Sequence, residues 1–470
     1  MQKSFSKYLK SKKPVMASLL DRLQGKYEHV GILGTDTMAS VCYVDYHSSN
    51  VGEASSDCGF VIKVVHDGIY SEYATNELTM RRLDKIEEKI DELVKANMKT
   101  KKVGLKLAEE EKLTQSFSRR NKGKYLSEEE IIAGLKETVD LFKQEEKIVH
   151  AGARFMVEEV SKVYLSKNKD LEQYYFFPSA FIYSVAADQG KTQMFYNSVD
   201  DISMSKVLKE LPKKVKETAS VARELLVAEN PEPGIYDVIT APSISGLIAH
   251  EAFGHGVEMD QFVKDRALGK EYIDKPVASN LVSMRDGAAS CFAIASYFFD
   301  DDGVLAGDTL VIDKGILKQG ISDVNAASML GTKPTGNGRR QAYDHKTYTR
   351  MTNTYFEPGK DKLKDMIKSI EYGYLIDVTN NGMEDPKNWQ IQCTATIGRE
   401  IKNGKLTGKV VSPIIMSGYV IDLLKSISAV SDDFKIHSGG SCGKGYKEWV
   451  RVSDGGPYMK AKVKIGWLNA

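Results

Sequence analysis

Predicted strands and predicted helices occupy separate blocks of this 470-residue chain. Alternating apolar residues predict strands over residues 41–68 and again over residues 153–199. Between them, residues 76–151 have the three- and four-residue apolar spacing of long, charged, amphipathic helices. A parallel sheet with crossover helices needs regular strand–helix alternation, which this chain lacks. The block pattern therefore predicts an α+β fold.

A cluster of proline and glycine, ENPEPG at residues 229–234, is the clearest break along the chain. It predicts two domains. The first is an N-terminal domain of mixed helices and strands over residues 1–230, with the charged helical region at about 76–151. The second is a strand-rich C-terminal domain over residues 231–470.

The charged helical region contains its own start and stop signals. Ser127 followed by Glu130 has the spacing of a capping box, in which each side chain bonds the other residue's backbone amide, and it predicts a helix start. Basic stretches at residues 95–106 and 116–125 predict breaks between helices.

Composition restricts the class of function. Lys and Arg number 65 against 64 Asp and Glu, so the formal net charge is +1 and a nucleic-acid partner is not expected. Five cysteines without a CxxC pair predict a reducing compartment. The amino-terminal residues lack a secretory apolar segment, and charged residues interrupt the most apolar later stretch, so we expect a cytoplasmic protein without a membrane span.

The sharpest chemical signal is an HExxxH motif formed by His250, Glu251 and His255. In metallopeptidases with HExxH, one helical face presents both histidines to zinc and the glutamate acts as base. Five residues of ideal α-helix would place the second histidine about 140° from the first. Two interpretations stay open: the motif is accidental, or the helix contains a π-type distortion, which Gly254 and Gly256 would permit.

Cys442 is the candidate third ligand. It lies in a glycine-rich segment, HSGGSCGKGY, whose backbone can turn sharply. A single cysteine is more often a small buried apolar residue than a ligand. Two histidines and one cysteine, however, make a three-ligand zinc set with the fourth position free for water. The segment does not match a phosphate-binding loop, because Gly445 follows Lys444 where that loop requires Ser or Thr.

Five motifs follow one another in the C-terminal half. In chain order they are HEAFGHGVEMD at 250–260, FDDDGV at 299–304, PTGNGRR at 334–340, RMTNTYFEPG at 350–359 and GGSCGKG at 439–445. Together they resemble the TldD/PmbA metallopeptidase family, historically called modulators of DNA gyrase. The retained HExxxH resembles the catalytic TldD-like branch. The N-terminal half resembles the family mainly over residues 59–79, and the helical stretch 84–149 is longer and more charged than the family pattern.

The resemblance implies a fold and an assembly. The implied architecture is an N-terminal α+β domain and a strand-rich C-terminal domain that carries the zinc helix. The implied partner is a PmbA-like subunit or an identical chain, and the resulting dimer would enclose a cleft for peptides.

The resemblance also implies site residues. By position, His250, His255 and Cys442 become ligands of one Zn²⁺ per catalytic chain, and Glu251 becomes the general base. Substrate contacts are implied for residues of two other motifs, namely Arg339, Arg340, Arg350 and Asn353.

The resulting hypothesis is a zinc metallopeptidase that hydrolyses peptide bonds in small or unfolded peptides. The alternative is a non-catalytic interaction or regulatory subunit of a TldD/PmbA-type complex, docking through the helices of residues 84–149. A third idea, a nucleic-acid regulator, depends on the basic stretch at 116–125, which is more typical of a solvated loop. The aspartate run 300–302 lacks calcium-loop spacing and predicts a solvated turn before Gly303.

Overall fold

Each half of the chain contributes one large β-sheet to the computed structural model, which describes residues 1–100, 104–446 and 448–466. A seven-stranded sheet forms within residues 29–200, and an eleven-stranded sheet forms within residues 234–466. Helices and strands do not alternate regularly along the chain. The predicted α+β class is therefore confirmed.

The N-terminal sheet is built mainly from long antiparallel neighbours. Its strands are β1 (His29–Asp45), β2 (Ser49–His66), β3 (Ile69–Thr75), β4 (Leu113–Arg119), β5 (Ile148–Ser166), β6 (Lys169–Asp188) and β7 (Lys191–Asp200). The spatial order is β3-β2-β1-β5-β6-β4. Strand β7 also pairs with β6, along its later residues 179–188. Strand β4, the one parallel neighbour among them, runs alongside the first part of β6.

Five helices cover this sheet. They are α1 (Lys7–Leu23), α2 (Leu83–Thr100), α3 (Glu128–Leu141), α4 (Met204–Glu210) and α5 (Val215–Leu226). The predicted capping box is present at the start of α3, where Ser127 Oγ accepts the Glu130 N–H and the Glu130 carboxylate accepts the Ser127 N–H. No helix in the described part of the chain is long and apolar enough to cross a membrane.

The region between α2 and α3 differs from the prediction. The basic stretch at 116–125 was expected to be a loop, but its first residues complete strand β4, while residues 101–103 of the other predicted break lie outside the described residues. Only Leu113 and Phe117 of β4 pack against an apolar cluster, so the strand lacks a strong alternating signal. Arg119, at its end, is enclosed by aromatic rings and donates to Ser296 O at 2.7 Å.

The C-terminal sheet begins after the proline and glycine cluster. Its longer strands are β8 (Gly234–Thr240), β9 (Met284–Asp286), β10 (Thr309–Asp313), β14 (Asn353–Phe356), β15 (Tyr372–Asp385), β16 (Gln390–Lys402), β17 (Lys405–Val411), β18 (Ile414–Tyr419), β19 (Ala429–Lys444) and β20 (Glu448–Gly466). Its eleventh strand is the two-residue β11 (Ile316–Leu317), whereas β12 (Gly338–Arg339) and β13 (Tyr348–Thr349) form a separate two-stranded sheet. Its helices are α6 (Pro242–Leu247), α7 (Met259–Val263), α8 (Val324–Leu330), α9 (Leu363–Lys368) and α10 (Val420–Lys425).

Five strands of this second sheet close into a ring, because β20 pairs with both β18 and β8. The ring order is β20, β18, β16, β15 and β8. Its side chains pack into a large apolar cluster that includes Phe253 and Trp389, whose ring centroids lie 5.5 Å apart. Phe253 belongs to the HExxxH segment, so this cluster anchors that segment against the sheet.

Buried ion pairs join the N-terminal sheet to the aspartate run 300–302, which lies in a turn of the C-terminal half. Lys63 of β2 donates to Asp302 Oδ1 at 3.1 Å, and Lys162 of β5 pairs with Asp301. All three aspartates are at most 5% exposed, so the prediction of a solvated turn is wrong. Lysines that lie more than a hundred residues earlier in the chain compensate the buried charge, which no local pattern reveals.

Candidate metal centre

The HExxxH motif lies on a distorted helix. Helix α6 continues as a π-helical segment over Ile248–Gly254 and ends in a tight turn over His255–Val257. The His255 N–H bonds to His250 O, the five-residue step of a π-helix. This step brings the two imidazoles onto one face, with ring centroids 5.2 Å apart. The non-ideal helix that the motif spacing requires is therefore present.

Gly254 lies in the distorted segment, at a point where the backbone approaches neighbouring atoms too closely for a side chain. A β-carbon added there would lie 2.1 Å from Met351 Sδ and 2.9 Å from Ala249 O. Both distances are far below van der Waals contact, so a larger residue would have to displace the Met351 side chain and the helix.

Cys442 reaches the histidines from a different part of the fold. It lies near the end of β19, opposite Val450 of β20, and its Sγ is 3.5 Å from His255 Nε2. The ligand atoms of His250, His255 and Cys442 all lie within 4.8 Å of one another. Arg350 is fully buried and donates to Cys442 O and to Glu448 O, which holds the two strands of this hairpin in place.

The three side chains change one another's pKa values. Burial would raise the pKa of the Cys442 thiol, but the two adjacent imidazoles hold it at about 4. Burial would likewise lower the pKa of His255, but Glu258 and Cys442 raise it well above its usual value. At neutral pH the cysteine is therefore a thiolate, the form that binds metals.

A buried carboxylate orients His255 from the far side. Glu258 Oε2 lies 3.2 Å from His255 Nδ1, and Lys444 Nζ donates to the same carboxylate at 2.9 Å. Burial would raise the pKa of Glu258, yet Lys444 and His255 hold it at about 2, so it accepts the Nδ1–H. Lys444 also donates to Asp260 Oδ1 at 2.8 Å.

Sequence reasoning missed Glu258 and Lys444 as site residues. The signal for Glu258 was its position three residues after His255, since ligating histidines usually donate their second N–H to a carboxylate. Lys444 carries no comparable signal, because its partners lie more than 180 residues away.

Glu251 lies beside both imidazoles. Its carboxylate oxygens are 3.6 Å from His255 Nε2 and 4.0 Å from His250 Nε2. Strand β15 passes directly over it, since a β-carbon on Gly382 would lie 2.6 Å from Glu251 Cγ. This contact holds the carboxylate between the donor cluster and the cleft.

A cleft of about 740 Å³ opens in front of Glu251, between the two sheets. The N-terminal sheet contributes residues such as Phe181 and Tyr196, the π-helical segment contributes His250 and Glu251, and β20 of the C-terminal sheet contributes Asp454. Burial raises the pKa of Asp454 to about 6, against a lowering effect of His250. The cleft places the donor cluster within reach of a molecule held between the sheets.

The four residues predicted to contact substrate lie elsewhere. Arg339 donates to Met351 O, Arg340 donates to His345 O and Glu72, and Asn353 donates to Gly287 O and to Ser296 Oγ. Arg350 holds the Cys442 hairpin, as described above. Arg339 and Arg340 line a separate cavity of about 220 Å³, and none of the four is among the described residues of the larger cleft. Their predicted substrate contact stays a prediction.

Two imidazoles, a thiolate and a neighbouring carboxylate at the edge of a cleft define a candidate metalloenzyme of the hydrolytic kind. Residues 233–466 match the family model of the PmbA/TldA metallopeptidase C-terminal domain. The chain belongs to the PmbA/TldD metallopeptidase family.

Curated relatives carry the same family name. A metalloprotease TldD homolog from Buchnera aphidicola is 33% identical over 253 residues, which are 53% of this chain and 52% of that protein. A zinc metalloprotease TldD homolog from Saccharolobus solfataricus is 32% identical over 283 residues, which are 58% of this chain and 59% of that one. The matched part of the chain therefore spans about half the length of these relatives.

Solved structures share the fold over nearly the whole chain. TldE from Thermococcus kodakarensis has a TM-score of 0.75 at 18% identity and covers 96% of this chain and 100% of its own. A Thermotoga maritima protein, solved as a candidate modulator of a DNA gyrase, has a TM-score of 0.76 at 18% identity and covers 97% and 100%. The likeness extends the shared architecture to the N-terminal sheet.

Proposed function

We propose that this protein is a zinc-dependent peptidase with His250, His255 and Cys442 as ligands and Glu251 as general base. The observation that carries the proposal is the convergence of the three donor atoms within 4.8 Å of one another, next to the Glu251 carboxylate. The name of the Saccharolobus relative, a zinc metalloprotease, supports the choice of metal.

The donor set fits zinc. Two imidazole nitrogens and one thiolate sulfur are ligands that zinc accepts, and a three-ligand site leaves one position free. Because the ionised Glu258 accepts the Nδ1–H of His255, the other ring nitrogen, Nε2, faces Cys442 Sγ and would be the atom that binds the metal once it has lost its proton. When bound, zinc supplies Lewis-acid chemistry, which polarises a carbonyl group and activates water.

The chain's own residues account for the proton transfers. Glu251 accepts a proton from the attacking water and returns it to the amine that leaves, the general base and acid roles of one carboxylate. Its position beside the imidazoles and under β15 keeps it at the mouth of the cleft. Peptide hydrolysis requires both proton transfers. Replacing this carboxylate should therefore abolish hydrolysis and leave metal binding intact.

The cleft supports small or unfolded peptides as substrates. Its volume of about 740 Å³ lies within the range of clefts that bind small ligands, roughly 300–1,000 Å³. A space between two sheets admits an extended chain, whereas a folded domain is excluded.

Metal content and peptidase activity test the proposal. We expect one zinc per chain, cleavage of an unstructured peptide, and loss of both in Cys442→Ala. Glu251→Gln should keep zinc and lose cleavage. Glu217→Gln, which neutralises another carboxylate of the same cleft, serves as the matched control and should retain activity.

The same experiment decides against the alternative. Purified protein that lacks zinc and does not cleave peptide would contradict the enzyme proposal and favour the non-catalytic subunit. A Glu251→Gln variant that still cleaves peptide would contradict the assignment of Glu251 as the general base. The predicted assembly, with a PmbA-like partner or an identical chain in the cytoplasm, also belongs to this proposal. Light scattering of the 52.2 kDa chain, alone and after co-expression with such a partner, measures it.

A further inference from the structure

Asp454 lies inside the cleft, close to the donor cluster. It belongs to β20, and its backbone lies opposite His437 of β19 and Thr354 of β14. Its Oδ1 is 2.5 Å from the position that a β-carbon of Gly246 would occupy. Gly246 precedes His250 by four residues, about 6 Å along a helix. The carboxylate therefore sits roughly one helical turn from a proposed zinc ligand.

Among the described residues, nothing pairs with this carboxylate. It is half-buried, and no side chain or backbone N–H in the described part of the chain donates a hydrogen bond to it or forms an ion pair with it. Other acids of the same cleft are paired: Asp377 accepts from Ser243 Oγ at 2.6 Å, and Glu224 pairs with Arg399 at 3.1 Å. A buried charge without a partner is unfavourable, and a cation bound in the cleft would relieve this.

The opposite wall of the cleft is aromatic. Tyr196 of β7 is 41% exposed and stacks on Phe181 of β6 with ring centroids 5.2 Å apart. Both rings line the cleft, and Tyr196 lies close enough to Asp454 for the carboxylate to raise its pKa, in addition to the effect of burial. Aromatic faces attract cations, so a carboxylate and an aromatic ring together form a site for a positive group.

We propose that Asp454 and Tyr196 form a subsite for an ammonium group of the peptide substrate. The ammonium is either the free amino terminus or a lysine side chain. This inference rests on the proposed peptidase function and specifies its substrate class. An extended peptide advances about 3.3–3.6 Å per residue, so the charged group lies within about two residues of the scissile bond.

A matched peptide set measures this preference. The parent peptide has a free amino terminus and one lysine. One derivative is acetylated at the amino terminus, one carries norleucine in place of lysine, and one carries both changes. We expect the parent to exceed the doubly changed peptide by roughly tenfold or more in kcat/KM, because ionised groups form the stronger hydrogen bonds. The derivative that loses the advantage identifies which ammonium is bound.

Two variants connect the preference to Asp454. In Asp454→Asn the ratio between charged and neutral peptides should fall to about one while zinc content is retained. Glu217→Gln removes a charge from the same cleft and should keep the ratio. If Asp454→Asn cleaves too slowly for a ratio, peptide affinities in the Glu251→Gln background, with and without Asp454→Asn, provide the same comparison.

The outcomes separate this subsite from the proposed function. Equal cleavage of charged and neutral peptides by the unaltered protein would overturn the subsite and leave the peptidase intact. Loss of zinc in Asp454→Asn would also overturn the subsite, because the carboxylate would then support the zinc ligand His250 instead of binding substrate. Absence of zinc and of cleavage in the unaltered protein would overturn the peptidase proposal itself.

Discussion

Replacing Lys444 by methionine tests whether the ion network behind the metal centre stabilises the fold. The lysine is 9% exposed and is shared by Glu258, which is 2% exposed, and by Asp260, which is 12% exposed. Methionine has a similar length and no charge, so Asp260 would lose its ion-pair partner and Glu258 would keep only His255. Removing one partner of a buried pair typically costs about 3–5 kcal/mol. Against a total of roughly 5–15 kcal/mol, we expect a large loss of stability.

The loss should depend on pH. In the unaltered protein the pKa of Glu258 is held at about 2, so its contribution is complete above its ordinary pKa and is lost as the pH falls toward 2. Without Lys444, the buried carboxyls bind protons more readily than in the unfolded chain, so acid stabilises the variant relative to neutral pH. The difference between the two proteins should therefore be largest above about pH 5 and shrink below it.

Urea unfolding of metal-free protein, followed by tryptophan fluorescence at pH 7 and pH 4, measures both effects. Lys318→Met is the matched control, because Lys318 is 44% exposed and its partner Asp274 is 69% exposed. Exposed pairs contribute about 0–1 kcal/mol. A loss in Lys444→Met no greater than that of the control, or one independent of pH, would refute the reasoning.

Two further substitutions probe the metal centre. Glu258→Gln should weaken zinc binding about 10–100-fold in competition with a chelator, because His255 loses its charged acceptor; unchanged affinity would contradict the orienting role. Gly254→Ala should destabilise the metal-free protein by about 1–3 kcal/mol, since the new methyl group would meet Met351 Sδ. Gly25→Ala, with no atom within 4 Å of the added carbon, is its control in the same thermal unfolding measurement, and equal losses would argue against the close contact.

Local patterns predicted the elements that depend on neighbouring residues. The block arrangement predicted the α+β class, and the Ser127 and Glu130 spacing predicted the capped start of α3. The five-residue step between His250 and His255 left two interpretations open, an accidental motif or a π-type distortion, and the structure contains the distortion. The capped helix start and the π-helical step each involve residues within one or two helical turns, so the interactions that determine them are present in the local sequence.

Features that depend on distant partners were missed or wrong. Residues 116–119, the second half of strand β4, were expected to belong to a loop. The prediction failed because this strand pairs with β6, which lies more than 50 residues later in the chain. The aspartate run 300–302 was expected to be solvated. It is buried instead, and Lys63 and Lys162 of the N-terminal sheet form ion pairs with it. No sequence pattern predicted a role for Asp454, because its lack of a hydrogen-bond partner among the described residues depends on the positions of side chains that are distant in the sequence.

By itself, the sequence determined the chemistry that is available: two histidines at a π-helical spacing, a glutamate between them and a cysteine in a glycine-rich segment. Only the tertiary structure decided that Cys442 Sγ and His255 Nε2, 187 residues apart, lie 3.5 Å from each other. The packing of α6 against β19 and β20, together with the pairing of β20 with β8, offsets the entropy of closing so long a loop, and these contacts depend on the second sheet. The local sequence thus contains the residue types of the site, and the tertiary structure gives them their positions.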